Sequence, residues 1–163
     1  MKLSTIVLHP APWALIAQLT AAEPGVSAVL PPRGATTYVA EVVGRVIDMA
    51  ELGKGETETL VEVTGATRNT LGQSAFDQMR AHCLISLTAG GGPPSAVGAY
   101  RETDGDGDIL FTSFDGKAGK LLGGTGKYAG MTGSSVFSVK FESSSEAGKR
   151  AYSVNHVITW AQK

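Results

Sequence analysis

Two opposite charges, Glu41 and Arg45, stand among β-branched residues in TTYVAEVVGRVIDM (residues 36–49), and His156 stands in AYSVNHVITW (residues 151–160). Every second residue of an extended chain falls on one side. Glu41 and Arg45 therefore share a face with Val39, Val43 and Ile47, and His156 shares one with Tyr152, Val154, Ile158 and Trp160. Opposite charges among apolar neighbours are costly unless they pair or meet a cavity. One reading is a structural ion pair at a barrel mouth or subunit contact. The other is functional: Arg45 anchors a substrate oxygen, Glu41 orients it, and His156 donates or accepts a proton. His156 is likewise either a satisfied core histidine or a cavity group. On the functional reading the candidate catalytic set is Glu41, Arg45 and His156. The candidate ligand-binding set is Val39, Val43, Phe137, Val139, Tyr152, Val154, Ile158 and Trp160, with Ile47 and Phe141 on the same faces.

Other chemistry is excluded by spacing. GTGKYA (residues 124–129) matches the G-x-G-x-x-A dinucleotide pattern, but that pattern needs a following helix to face pyrophosphate. Here Gly130, Thr132 and Gly133 follow, and then the alternating VFSVKF. A phosphate-binding P-loop fails too, because Leu121 stands where its first glycine belongs and Tyr128 where its Ser/Thr belongs. DGDGD (residues 104–108) begins like a calcium loop, yet Ile109 occupies the sixth position, where glycine makes the sharp turn. Asp-Gly pairs favour a tight hairpin instead. His9, His82 and His156 lack ligand spacing, so no metal site is expected. His82 and Cys83 are adjacent, so on a strand they point to opposite faces and do not make a nucleophile–base pair. No G-x-S-x-G elbow occurs.

The elements that must position these residues are strands. In 163 residues, 42% are hydrophobic, 18% are charged and 21 are glycines, a composition for one domain with many turns. A net charge of −1 gives no electrostatic footprint for nucleic acid or anionic membrane, and a lone cysteine excludes an internal disulfide. ETETLVEVTG alternates cleanly, with Glu58, Leu60 and Glu62 on one face and Thr59, Val61 and Val63 on the other. SAFDQMRAHCLISLT fits helix at Phe76, Met79 and Cys83 but strand at Met79, Ala81, Cys83, Ile85 and Leu87; strand is favoured from about His82. Short strands separated by hairpin turns describe a closed antiparallel barrel or a sandwich. Residues 1–30 form a separate segment before a barrel domain of residues 31–163. Its bland reading is a strand at residues 5–8 and a short helix at residues 12–22. Val26-Ser27-Ala28 also resembles a signal-peptidase site, so the expected location is cytoplasmic, with export as the alternative. No apolar run is long enough to span a membrane.

GGTGKYAGMTGSSVFSV closely resembles the G-x-G-[KR]-[FY]-x-G-x-x-G turn of the allene oxide cyclase and dirigent-like barrels, and is similar to a segment of bacterial spirotetronate cyclases. The stretch from Thr103 to Gly133 also resembles bacterial relatives in which an acidic hairpin precedes that turn. The resemblance implies an all-β, closed eight-stranded antiparallel barrel, allene oxide cyclase-like and calycin-like, commonly homo-oligomeric (a dimer or trimer). It implies a lumen for an apolar, oxygenated small molecule, and a cofactor-independent isomerase or cyclase that holds a reactive substrate in one conformation. It transfers no active residue to this chain. Two alternatives stay open: a non-catalytic binder of hydrophobic ligands, and a structural module whose barrel is filled with side chains.

Overall fold

The computed structural model describes residues 29–143 and 148–163. The expected N-terminal strand and helix, and the signal-like segment, lie outside them. Eight strands follow in order: β1 (Arg33–Gly53), β2 (Glu56–Asn69), β3 (Arg80–Ala89), β4 (Ser95–Thr103), β5 (Ile109–Asp115), β6 (Ala118–Gly124), β7 (Met131–Glu142) and β8 (Lys149–Gln162). Each pairs antiparallel with its neighbours, and β1 pairs with β8 to close the barrel. The all-β barrel expected from turn spacing is therefore present.

Alternation sets what faces inward. On β8 the buried residues are Val154, His156, Ile158 and Trp160, while Asn155, Val157 and Thr159 are exposed. On β2 they are Val61, Val63, Thr67 and Asn69, with Glu62 on the other face. β1 is apolar on both faces, and there the sequence expectation needs correction. Tyr38, Ala40 and Val42 point inward and join the core, whereas Val39, Glu41, Val43 and Arg45 take the outer side, where Val39 alone of the four is buried. Ile47 falls at a register shift between Val46 and Asp48 and is exposed.

Inward glycines leave room for rings from adjacent strands. A Cβ on Gly34 would overlap Trp160, one on Gly44 would overlap Tyr152, and one on Gly98 would overlap Phe114. Each aromatic side chain thus lies flat along the wall instead of projecting across the lumen.

One end of the barrel is sealed. Tyr38, Phe76, Met79, Leu110, Leu121, Tyr128, Met131, Ile158 and Trp160 make a continuous core there, with Leu30 against it. Phe76 plugs the axis, 5.3 Å from the Trp160 ring, 5.9 Å from Tyr38 and 6.0 Å from Tyr128 between centroids. It stands on the connection between β2 and β3, the stretch that also fits a helix. Side chains of β2 hold that connection in an irregular turn, with Phe76 at φ 56° and Gln78 at φ 52°. Thr67 Oγ1 donates to the Phe76 carbonyl at 2.8 Å, and Asn69 Nδ2 donates to the Ala75 carbonyl at 2.7 Å. Backbone groups captured this way are lost to a helix.

The glycine-rich turn and the acidic hairpin meet at the same end. Gly126 adopts φ 49°, and a Cβ there would collide with the Asp108 carboxylate. Asp108 Oδ2 accepts the Lys127 backbone N–H at 3.0 Å. Lys127 Nζ lies 2.8 Å from Asp104 and 2.7 Å from Asp106. The turn does seat an anion, but the anion is a side chain of its own barrel. Burial alone would raise the Asp104 carboxyl; Lys127 and the backbone N–H groups of Asp106 and Asp108 outweigh it and hold it below the usual range.

Candidate functional site: the open half of the barrel

The other end of the lumen is hollow. A cavity of about 990 Å³ runs from the barrel's midpoint to the mouth at the β1–β2, β3–β4 and β5–β6 connections, the end of β7 and the start of β8. Its floor is Tyr100, Phe114, Phe137 and Val154, and its walls include Val61, Ile85, Leu87, Ala96 and Val139. Tyr100 and Phe114 pack 5.4 Å apart, and Phe114 meets Phe137 edge-on at 5.4 Å. The walls are mostly apolar, so a ligand there trades water for hydrocarbon and gains the hydrophobic term.

Polar groups are few and placed by strand position. Tyr100 projects from β4 at the floor, where burial, then Cys83 and Glu102, raise its phenol well above the usual range. It stays a neutral hydrogen-bond donor at ordinary pH. Tyr152 stands nearer the mouth over Gly44. Cys83 on β3 is buried in the core and does not line the cavity; burial pushes its thiol up to about 12, which leaves it protonated and inert as a nucleophile.

Beneath the floor lies a buried polar cluster. The His156 ring stacks on Tyr38 at 4.6 Å between centroids, with Phe137 at 5.6 Å and the edge of Tyr100 at 6.1 Å. Its Nδ1 is 3.1 Å from the Ser135 hydroxyl. Tyr38 donates its hydroxyl hydrogen to Glu102 Oε1 at 3.1 Å. His156 Nε2, Glu102 Oε2 and Thr112 Oγ1 have no hydrogen-bond partner among the described residues. Desolvation raises the Glu102 carboxyl to about 7, against a smaller lowering by the Tyr38 hydrogen bond. It also lowers His156 to about 4. Near neutrality the histidine is uncharged and the carboxyl is close to its midpoint.

The structure therefore divides the sequence-derived candidates. Phe137, Val139, Tyr152 and Val154 line the cavity, as does Phe141. Ile158 and Trp160 face inward but belong to the sealed end. His156 is inside, under the floor. Glu41 and Arg45 are outside the barrel and are not brought together with His156. Arg45 instead pairs with Glu62 at 2.7 Å, Glu62 also contacts His82 at 3.2 Å, and Glu41 lies 3.9 Å from Arg68. Tyr38, Tyr100 and Glu102 were not among the sequence candidates. The signal for Tyr100 and Glu102 was the phase of AVGAYRET, in which Ala96, Gly98, Tyr100 and Glu102 share one face and Arg101 takes the other.

No protein-family model and no curated protein sequence matches the chain. Among solved structures, a dirigent protein, a pterocarpan synthase, superposes with a TM-score of 0.52 over 82% of this chain and 94% of its own. The fold is that of a dirigent-like barrel. Identity between the two is 12%, and the likeness concerns the path of the chain. No described helix is long and apolar enough to cross a membrane, and no described group of His, Cys, Asp and Glu is gathered for a metal ion.

Proposed function

We propose that this barrel holds an apolar, oxygenated small molecule in its open half and acts on it as a cofactor-independent isomerase or cyclase. The observation that carries the reading is the cavity of about 990 Å³, with an aromatic floor and a phenol at its deepest point. An enclosed apolar space excludes water and limits the rotamers of a bound substrate, which lowers the entropic part of a ring-closing or stereoselective barrier. Tyr100, kept neutral, donates a hydrogen bond to a substrate oxygen, and Tyr152 offers a second contact nearer the mouth. The hollow half disfavours the filled-barrel alternative. A purely binding role is favoured by one observation: the buried acid Glu102 lies beneath the floor and does not line the cavity. Self-association belongs to the same proposal, supported by exposed apolar residues on the outer wall such as Val43, Leu84, Val136 and Val157.

Binding of 1-dodecanol, followed by displacement of an environment-sensitive fluorophore, tests the cavity. The parent should bind saturably. Ala96→Phe, which fills the wall position, should keep the β circular dichroism spectrum and lose binding. Equal binding by both proteins would remove the lumen as the site. A chemical role further requires Tyr100→Phe to retain binding while losing turnover of an oxygenated substrate.

A further inference from the structure

A patch on the outer wall of β3–β6 lies apart from the cavity. Arg80 on β3, Arg101 on β4, Phe111 on β5 and Lys120 and Leu122 on β6 take outward positions and are exposed. Arg101 stands directly opposite Phe111 in the ladder, Arg80 opposite Thr103, and Lys120 opposite Ser113. The β5–β6 register slips between Phe111 and Thr112, which pair with Gly123 and Leu121, so Leu122 is the extra residue of a bulge beside Phe111. A bulge re-aims side chains, and this one leaves Phe111 41% and Leu122 59% exposed, an apolar spot among three cations.

Those cations have no internal claim on them. Arg80, Arg101 and Lys120 make no ion pair among the described residues. The acids nearby are engaged elsewhere. Glu62 meets Arg45 and His82, Glu41 meets Arg68, and Lys127 holds Asp104 and Asp106. Asp77 accepts the Asn69 backbone N–H at 2.8 Å. Residues outside the described set add two acids, Glu23 and Glu146, and one lysine, Lys2. Glu146 belongs to the β7–β8 connection, which joins its strands at the mouth, whereas Arg80, Arg101, Phe111 and Leu122 stand toward the sealed end.

We infer that this patch docks a short acidic polypeptide segment, with one apolar side chain on Phe111 and Leu122 and carboxylates on Arg80, Arg101 and Lys120. An aromatic anchor with guanidinium groups at its rim is the composition of a protein-binding surface. Adjacent strands lie about 4.8 Å apart, so β3 to β6 spans about 14 Å, the length of about four extended residues. Acids bound it at both ends of β5, Asp106 in the preceding hairpin and Asp115 at the last position, and they repel a long polyanion. A single exposed ring also gives no platform on which successive bases could stack. The occupant is therefore a brief run of Asp or Glu interrupted by an apolar residue.

The test is fluorescence polarisation of the full chain with a labelled hexapeptide, four glutamates around a central Leu-Trp pair. The parent should bind it saturably, and the same peptide with glutamine for every glutamate should bind about tenfold more weakly in about 0.05 M salt. Arg80→Gln with Arg101→Gln should weaken binding about tenfold and flatten its salt dependence. Phe111→Thr should weaken it about tenfold and leave the salt dependence intact. All three positions are exposed, so the variants should keep the β circular dichroism spectrum. Ala96→Phe, which fills the cavity, should bind the peptide like the parent, so this inference and the cavity reading fail separately. No saturable binding, equal affinity for the glutamine peptide, or parental affinity in the variants would overturn the inference. A thymidine hexanucleotide that binds as tightly as the peptide would overturn it in favour of nucleic acid. Sedimentation showing an oligomer that Phe111→Thr dissociates would overturn it in favour of a second copy.

Discussion

The buried Glu102 carboxyl makes stability depend on pH in a direction opposite to ordinary acid denaturation. In the unfolded chain it ionises near its usual value of 4.5, and in the barrel only at about 7. Below 4.5 it is protonated in both states and adds no pH dependence. As pH rises through this window the unfolded chain releases its proton first, so stability falls, and above about 7 the loss is complete. At about 1.4 kcal/mol per pH unit the window amounts to about 3 kcal/mol. Glu102→Gln resembles the protonated acid and removes the titration, while its amide oxygen still accepts from Tyr38. Urea denaturation of parent and variant should therefore show a stability difference that moves in favour of the variant by about 3 kcal/mol between about pH 4.5 and about pH 8. Taking the difference cancels every group common to both proteins. A difference that stays constant across that range would refute the argument, because it would mean that the carboxyl is solvated or paired in the fold.

His156 supplies the complementary limb: it is neutral in both states above 6.5, and as pH falls toward about 4 the unfolded chain takes the proton first, so stability falls. His156→Phe should flatten that acid limb in the same denaturation series while keeping the stack on Tyr38. Lys127→Met leaves Asp104 without its cation at a site where the carboxylate is 7% exposed, and should cost about 3 kcal/mol in urea denaturation at neutral pH. Arg45→Met should shift Tm by no more than about 2 °C and leave 1-dodecanol binding unchanged, because the arginine side chain is 61% exposed on the outer wall.

Alternation was legible wherever one face was polar. β8 reads correctly because Asn155 and Thr159 mark its outside, and the β4–β5 hairpin reads correctly because Asp-Gly pairs name the turn. β1 misled because both faces are apolar. Its true inner face carries Gly34 and Gly44, which make room for the Trp160 and Tyr152 rings, and the small Ala40, while larger Val39 and Val43 lie on the outer side. Glu41 and Arg45 were the outward markers, and taking them as cavity groups inverted the strand. The cavity itself was illegible, because a lumen's emptiness depends on how far Phe76, Tyr38 and Trp160 fill it from one end. Those contacts join β1, β8 and the β2–β3 connection, which are remote in the chain.

That filling from one end separates two demands that most small proteins must meet with the same residues. The aromatic plug and the Asp–Lys tie secure the sealed half, so the residues of the hollow half are released from much of the duty of holding the chain folded. Ile85, Leu87, Ala96 and Val139 are then free to change size and shape together as a ligand's outline changes, provided the inward glycines keep their rings against the wall. The barrel has, in effect, a fixed hilt and an exchangeable blade. Libraries randomised at those four positions should yield mostly folded members with altered ligand range. The same randomisation at Met79, Leu110, Tyr128 and Met131 should yield few that fold at all.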